Sequence, residues 1–268
     1  MPSKTGKAPA SYYKSDVSVD QSTNVGFDTT VRSIISGDGA SSCLGLGTRS
    51  ATITPAADST AALDVENAVG NSVLAVDTTN SKVLIGASQV AANTQYAHFG
   101  IDFGSSSSYS ADTHYAIPFV QGNSASSLAA MGSSTSSSFN DTNPANLTLT
   151  TGTNYYVNTY WLVMDIITID AVIWFSASDT ATGDDTATHL MSYVVDTANG
   201  STGGNLSSGV VVADGATITN AGYEQIYYQS MTIQSADVDA GRVILFTFAS
   251  DTVNSDYSIN ATVKYHIR

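Results

Sequence analysis

The sequence contains a single cysteine, Cys43, and few charged residues. One cysteine excludes an intrachain disulfide framework and a cysteine-rich metal site, so the stability of the fold must come from packing. Lys, Arg, Asp and Glu make up 12% of the 268 residues, about half the usual share in a soluble globular protein. A surface with so few charges favours close packing against neighbouring protein molecules.

Basic residues are scarcer than acidic ones, with 9 Lys and Arg against 23 Asp and Glu and a formal charge of −14. Such a chain repels the phosphates of nucleic acids, so we expect no nucleic-acid partner. Three of the 9 basic residues, Lys4, Lys7 and Lys14, precede the first acidic residue, Asp16. Residues 1–23 are therefore predicted to form an extended N-terminal arm, either a solvated tail or a docking arm.

Long hydrophobic runs are also missing. No apolar run of signal-peptide length follows Met1, and the longest apolar stretch, residues 160–175, is interrupted by Asp165, Thr168 and Asp170. We therefore expect neither an export signal nor a membrane span. Helical periodicity is equally hard to find, which leaves all-β as the predicted fold class.

What the sequence has instead is two-residue alternation bounded by Gly, Asn, Asp and Ser. In residues 257–267 every second residue is apolar or aromatic. This alternation predicts a C-terminal strand with one buried and one solvated face. The residues predicted to be buried include Tyr257, Ile259, Val263 and Tyr265. Those predicted to face water include Lys264 and His266.

Further segments between residues 93 and 268 carry strand patterns. They are residues 96–103, 115–120, 155–163, 166–175, 188–195, 209–213, 225–233 and 242–249. Stretches of small polar residues between them are predicted as surface loops, among them residues 105–108, 133–138, 179–185 and 199–205. This spacing predicts that residues 93–268 form an antiparallel, jelly-roll-like β-sandwich.

Residues 24–92 look different, with short apolar pieces separated by many turn residues. We interpret them as a β-hairpin attachment region. Within it, the apolar run of residues 73–77, the polar residues 78–81 and the run of residues 82–86 predict a hairpin with a four-residue loop. So small a hairpin is not stable alone, so it needs the sandwich or other subunits to cover it.

The segment from Ala62 to Gly86, ALDVENAVGNSVLAVDTTNSKVLIG, resembles a run common in structural proteins of tailed bacteriophages, especially tail fibres and other appendages. In those proteins the run forms short β-pairs in trimeric stems and attachment regions. Residues 205–209, 227–233 and 239–243 resemble β-sandwich modules in virion proteins of aquatic phages. Those modules have no known catalytic motif to transfer to this chain.

These resemblances imply a non-enzymatic virion structural protein that contacts the major capsid protein or other virion proteins. The chain lacks the long repetitive shaft and the C-terminal chaperone segment of tail fibres, which favours a capsid decoration (cement) protein or head fibre on the capsid exterior. A tail fibre or tail adaptor protein stays open as one alternative, and a carbohydrate-binding receptor-recognition module as another. Because appendage proteins are usually trimeric, we expect a homotrimer.

Motifs that carry chemistry are sparse. No glycine-rich turn leads into Lys-Ser or Lys-Thr, and no Gly-x-Ser-x-Gly elbow is present. The stretch from Asp237 to Gly241 has alternating carboxylates but lacks the rest of a calcium loop, so it is predicted as a turn. The four histidines lack the paired spacing of a zinc site, namely His98, His114, His189 and His266. We expect no metal and no cofactor.

Carboxylates could cut sugars, and exposed aromatic rings could bind them. Paired carboxylates for glycoside hydrolysis could come from Asp165, Asp170, Asp184 and Asp185, but the long solenoid that carries such clefts is missing. Adjacent rings on one strand point to opposite faces, so one ring of each pair could be exposed to a sugar. The pairs are Tyr155 with Tyr156, Tyr160 with Trp161, Trp174 with Phe175, and Tyr227 with Tyr228. Most of these rings are predicted to be core.

The predicted shell-attachment residues lie in the arm and in the hairpin region. In the arm they are Lys4, Lys7, Tyr12, Tyr13 and Lys14. In the hairpin region they are Asp64, Val65, Val76, Asp77, Val83 and Ile85.

Overall fold

Alternating apolar and polar residues form β-strands along the whole described chain. The computed structural model describes residues 17–20, 27–37, 39–86, 88, 90–103, 110–119, 123–124, 129–133, 159–178, 183–196, 206–222, 224–252 and 256–268. These residues contain no α-helix, and their strands pair antiparallel apart from one two-residue parallel pair. The predicted all-β, antiparallel, sandwich-like class is confirmed.

The chain divides into two compact units, Met1–Ala92 and Asn93–Arg268. The described strands of the first unit form two four-stranded sheets, in the orders β1-β2-β3-β4 and β5-β6-β7-β8. Their bounds are β1 (Val17–Val19), β2 (Arg32–Ser36), β3 (Ser41–Leu46), β4 (Ala51–Ile53), β5 (Leu63–Glu66), β6 (Ser72–Asp77), β7 (Lys82–Ile85) and β8 (Val90–Ala91). Of the predicted N-terminal arm only residues 17–20 are described, and β1 pairs with β2.

The strands of the second unit form two larger sheets. Their bounds are β9 (Thr94–Phe103), β10 (Thr113–Ile117), β11 (Asn123–Ser124), β12 (Ala129–Ser133), β13 (Trp161–Leu162), β14 (Ile167–Ser178), β15 (Asp184–Val195), β16 (Leu206–Asp214), β17 (Ile218–Asn220), β18 (Gln225–Ser230), β19 (Thr232–Ile233), β20 (Asp237–Val238), β21 (Arg242–Ser250) and β22 (Tyr257–Ile267). The smaller sheet has the order β11-β9-β22-β14-β18, with β20 also on β14. The larger sheet has the order β12-β10-β21-β15-β16-β19, with β13 on β21 and β17 on β15.

The core lies between the inner faces of these two sheets. Strand β14 pairs with β22 over almost its whole length, from Ile167 opposite Ile267 to Ser178 opposite Tyr257. The side chains of Trp174 and Val263 on these strands are fully buried and pack in one cluster with Phe246 of β21. Burial of Tyr257, Ile259 and Val263 is confirmed, and Tyr265 is partly buried against the same cluster.

Strand β21 is buried on both faces. Its residues alternate between the core cluster, which takes Ile244 and Phe246, and a second apolar cluster on the other face, which takes Val243 and Leu245. A strand covered on both faces has no solvated face that requires polar residues. This explains the nearly continuous apolar run of residues 243–249.

The prediction that His266 faces water is wrong, because this side chain is only 3% exposed. The register of β14 against β22 shifts between Ile169 and Ala171, which leaves Asp170 as an extra residue in the ladder. The Asp170 carboxylate lies 3.0 Å from His266 Nδ1, so the imidazole is buried with an ionic partner. Alternation alone gives no sign of such a bulge.

Several element boundaries differ from the sequence prediction, most clearly at β15 and over residues 225–233. Asp184 and Asp185, predicted in a loop, are the first residues of β15. The predicted single strand over residues 225–233 is divided, since β18 pairs with β14 of the smaller sheet and β19 with β16 of the larger one. The sequence pattern runs on through Met231 because this residue is apolar and buried in the core, at the point where the chain passes from one sheet to the other.

Truncating Val263 to Ala should lower the free energy of unfolding by about 1–3 kcal/mol, because it removes apolar volume from a fully buried site. Its neighbour Lys264 is only half-buried and lies outside the core cluster. Lys264→Ala is therefore the matched control, with an expected change within about 0.5 kcal/mol. Urea denaturation of both variants measures the difference, and equal losses would refute the assignment of the two faces.

Candidate attachment surface

One face of the β5–β8 sheet is apolar across all four strands. The register places Val65 opposite Leu74, Leu74 opposite Ile85, and Ile85 opposite Val90. A second row runs beside it, from Leu63 through Val76 to Val83. Because directly opposite residues share a face of the sheet, the seven aliphatic side chains form one patch, which we call the apolar face.

The apolar face is substantially exposed. Val65 keeps 47% of its surface, Ile85 52% and Val83 41%, whereas Leu63, Leu74 and Val76 are half-buried. The opposite face of the same sheet carries Ala75 and Asp77, which are 3% and 5% exposed. The apolar face therefore presents several aliphatic side chains to the surroundings, while Leu84 on the opposite face, paired with Ala75, is half-buried.

The tight turns of this sheet depend on side-chain hydrogen bonds. Asp77 Oδ1 accepts from the backbone N–H of Asn80, and Oδ2 accepts from the Asn80 side chain at 2.7 Å. These hydrogen bonds hold the pKa of Asp77 below its usual value. In the β5–β6 turn, Asn67 Oδ1 accepts from the backbone N–H groups of Val69 and Asn71. The predicted four-residue loop over residues 78–81 is confirmed by the pairing of Asp77 with Lys82.

The N-terminal unit has almost no core of its own. Among its described residues the only buried hydrophobic side chain is Ala75. In the β1–β4 sheet, Val17, Leu44 and Ile53 are likewise exposed, Val17 by 73%. Small sheets without a covered apolar face are marginal in water, and exposed apolar patches of this kind mark interaction surfaces.

The structure sorts the predicted attachment residues into two groups. Val65, Val76, Val83 and Ile85 lie together on the apolar face. Asp64 lies opposite Ala75 on the other face of the sheet and accepts a hydrogen bond from Ser72 at 2.8 Å, and Asp77 accepts hydrogen bonds within its turn. The arm residues Lys4, Lys7, Tyr12, Tyr13 and Lys14 lie outside the described residues.

Sequence reasoning missed three members of the apolar face, namely Leu63, Leu74 and Val90. Only Leu63 lies in an alternating pattern, whereas Leu74 and Val90 lie in continuous apolar runs that do not distinguish the two faces. The signal that was needed is the register, because only the cross-strand pairing places β5 and β8 on either side of the central hairpin.

A second cluster of polar and titratable side chains lies on the outer face of the larger sheet. His114 of β10 and His189 of β15 have ring centroids 4.9 Å apart, and His189 Nδ1 lies 2.8 Å from Asp214 Oδ1. Thr247 Oγ1 lies 3.2 Å from His114 Nδ1. Burial, and then repulsion from His189, lowers the pKa of His114 to about 3.

The His114 cluster is poorly placed for catalysis. A pocket of about 180 Å³ lies at the end of this face, lined by residues that include Asp112, His114 and Asp185. The hydroxyl that contacts the His114 imidazole belongs to Thr247, which is completely buried, so it cannot meet a substrate. A nucleophile needs both an effective base and access to its target, and the lowered pKa of His114 makes it a weak base.

Three of the four carboxylates named for glycoside hydrolysis have separate partners, and Asp165 is exposed. Asp184 Oδ2 accepts hydrogen bonds from Thr252 Oγ1 at 2.6 Å and from Tyr257 OH at 3.2 Å. Asp185 is the next residue of β15, so its side chain points to the opposite face, and it accepts from Thr219 Oγ1. Asp170 is paired with His266. Within the described residues no group of three His, Cys, Asp or Glu side chains is arranged to hold a metal ion.

Comparison with known proteins adds no assignment, since no protein-family model matches the chain and no curated protein matches its sequence. In the part of the chain that the structure describes, no helix has the length and apolarity needed to cross a membrane. The surfaces themselves are therefore the basis for a functional proposal.

Acidification should destabilise the sandwich through His114. The folded state keeps this imidazole neutral down to about pH 3, whereas an unfolded histidine takes up a proton near pH 6.5. Between these pH values the unfolded state binds more protons than the folded state. The contribution of His114 to the free energy of unfolding is therefore full above about pH 6.5 and decreases as the pH falls, with a slope of up to about 1.4 kcal/mol per pH unit.

Urea denaturation at pH 7, 6 and 5 measures this slope. His114→Gln should have a flatter pH dependence than the unmodified chain, even if it is less stable at pH 7. His98→Gln is the matched control, because His98 is exposed on the smaller sheet. Identical slopes for His114→Gln and the unmodified chain would rule out His114 as the source.

Proposed function

We propose that the protein is a non-enzymatic structural component of a bacteriophage particle, a capsid decoration protein or head fibre that binds the shell through its N-terminal unit. The observation that carries the proposal is the apolar face of the β5–β8 sheet. Six of its seven side chains lie in the segment, residues 62–86, that resembles the attachment regions of phage appendage proteins.

The energetics favour an assembled state for this face. Fully burying an aliphatic side chain stabilises by about 1.5–3 kcal/mol relative to leaving it in water, and this face has seven such side chains, all exposed or half-buried. An aliphatic patch that is exposed to water lowers the solubility of the protein. A protein–protein contact would cover the patch. Because the contact is apolar, salt should weaken it little.

We also propose that the sandwich is a jelly roll. Numbering the eight long strands β9, β10, β14, β15, β16, β18, β21 and β22 from one to eight gives the order 1-8-3-6 in the smaller sheet and 2-7-4-5 in the larger one. That order supports two nested Greek keys, and jelly rolls are recurrent in viral capsid and lectin domains. A fold does not define a function. The strand order therefore supports the proposal only together with the apolar face.

Self-association is part of the proposal, with a homotrimer as the expected state. A closed ring of copies would cover the apolar face of each neighbour and would also cover the exposed aliphatic side chains of the β1–β4 sheet. Cyclic symmetry limits growth to a defined oligomer, whereas an unclosed contact would give fibres. The major capsid protein or another virion protein would take the remaining contacts.

A tail fibre or tail adaptor is the second candidate, because the same segment resemblance applies to it. The two locations separate in an infected-cell lysate fractionated into capsids and tails. An antibody against this chain should detect it with capsids under the leading proposal and with tails under the alternative. Detection in the soluble fraction only would contradict both.

Placing two charges on the apolar face should disrupt assembly. The double variant Val65→Asp with Ile85→Asp introduces carboxylates that cannot be buried without a large desolvation cost. We expect a trimer for the unmodified chain in sedimentation velocity and a monomer for the variant, with particle binding reduced at least about tenfold. The melting transition of the sandwich should be preserved.

Val69→Asp is the control for this variant. Val69 is 80% exposed in the β5–β6 turn and belongs to neither row of the apolar face. It carries the same chemical change in the same unit, so it should leave the oligomer intact. A monomeric unmodified chain, or a double variant that assembles normally, would contradict the proposed surface.

Deleting residues 1–14 tests whether the arm acts with this surface. The deletion removes Lys4, Lys7 and Lys14, together with Tyr12 and Tyr13, but it leaves the paired strand β1 in place. The sandwich should melt as before, since the deletion lies outside the C-terminal unit, while binding to particles should fall sharply. A deletion variant that binds particles as well as the full chain would reduce the arm to a solvated tail and leave attachment to the apolar face.

A further inference from the structure

The outer face of the smaller sheet carries a groove of about 370 Å³ that crosses β9, β22, β14 and β18. Small residues form its floor, because Gly100 has no side chain and Ala177 has only a methyl group. A glycine inside a strand weakens the strand and is typical of a place where another group approaches the backbone closely. The groove therefore exists because β9 and β14 carry small residues at these two positions.

One wall of the groove is aromatic and aliphatic. Its lining residues Phe175 and Ile226 are 41% and 74% exposed. Tyr228, on the strand beside Phe175, is 70% exposed and is not itself a lining residue. The register places Phe175 directly opposite Tyr228, with ring centroids 5.9 Å apart and an angle of 31° between the ring planes. Two exposed aromatic rings side by side on neighbouring strands offer apolar surface on which a ligand ring can stack.

The other wall is polar. Asp102 lies opposite Ser258 in the register, and Ser258 Oγ donates a hydrogen bond to Asp102 Oδ1 at 3.0 Å. One such bond uses one of about four acceptor positions of a carboxylate, so the others can receive ligand hydroxyls. Asn260, opposite Phe175, adds an amide that both donates and accepts.

We propose that this groove binds a neutral glycan. A sugar ring has an apolar face of C–H groups that stacks on aromatic rings and an edge of hydroxyls that bonds to carboxylate and amide groups, and the groove offers both in adjacent walls. No Lys or Arg occurs among its described lining residues, and the chain has a charge of −14. Sialylated, uronic or sulfated glycans are therefore disfavoured by the Asp102 carboxylate and by the overall field.

The dimensions favour a small ligand over a protein partner. Pockets for small ligands typically measure about 300–1,000 Å³, and this groove lies within that range. A stable protein interface buries about 800 Å² on each partner and is usually flatter. The proposal is independent of shell attachment, because the groove and the apolar face belong to different units of the chain.

The test uses the full chain, fluorescently labelled, on an array of defined neutral oligosaccharides together with sialylated and sulfated ones. Neutral glycans should be retained and acidic ones should not. Isothermal titration with the best neutral oligosaccharide then compares Phe175→Ala and Tyr228→Ala with the unmodified chain. Each substitution should weaken binding by about tenfold or more, as expected for an aromatic anchor, and Asn260→Ala should also weaken it.

Tyr96→Ala is the matched control, because Tyr96 is 59% exposed on the same strand β9 but lies opposite Lys264, away from the groove. It should bind as the unmodified chain does. All these residues are exposed or half-buried, and thermal melts of each variant verify folding. The proposal is overturned if the array retains no glycan, if acidic glycans bind best, or if Tyr96→Ala loses as much affinity as Phe175→Ala. It is also overturned if Tyr228→Ala binds no less glycan but changes the sedimentation coefficient, since the groove would then be a subunit interface.

Discussion

Burial of apolar side chains between two facing sheets is the interaction on which the C-terminal unit depends. Trp174, Phe246, Val263 and their neighbours fill one continuous cluster supplied by both sheets. The N-terminal unit has no comparable cluster in its described residues, where Ala75 is the only buried hydrophobic side chain. The C-terminal unit is thus self-sufficient in packing terms, whereas the N-terminal unit would gain stability from contacts outside its own described strands.

This contrast gives the two units different physical roles. A unit with a complete core can expose polar faces and grooves without loss of stability, so its surface is free to bind ligands. A unit with an exposed aliphatic face gains stability when another protein covers it. The low charge of the chain, 12% of residues, keeps the desolvation cost of such a contact small, since few ionic groups have to be stripped of water.

Polar groups buried in the sandwich are accommodated by specific partners. Asp184 binds Tyr257 and Thr252, and Asp170 binds His266 at the bulge of β14. His114 is kept neutral by burial beside His189. These contacts join residues far apart in the sequence and give the buried polar groups of the sandwich hydrogen-bond partners.

The sequence by itself determined the all-β class, the main strands and the buried face of residues 257–263, because two-residue alternation reports directly which side chains face an apolar environment. It also placed Val65, Val76, Val83 and Ile85 in one candidate surface. Tertiary structure alone decided which strands are neighbours. Register therefore added Leu63, Leu74 and Val90 to the apolar face, buried His266 at a bulge, divided residues 225–233 between two sheets, and set Phe175 beside Tyr228 at one side of a groove. Alternation is a property of one strand, whereas these outcomes depend on how two strands pair, for which the pattern of a single strand holds no information.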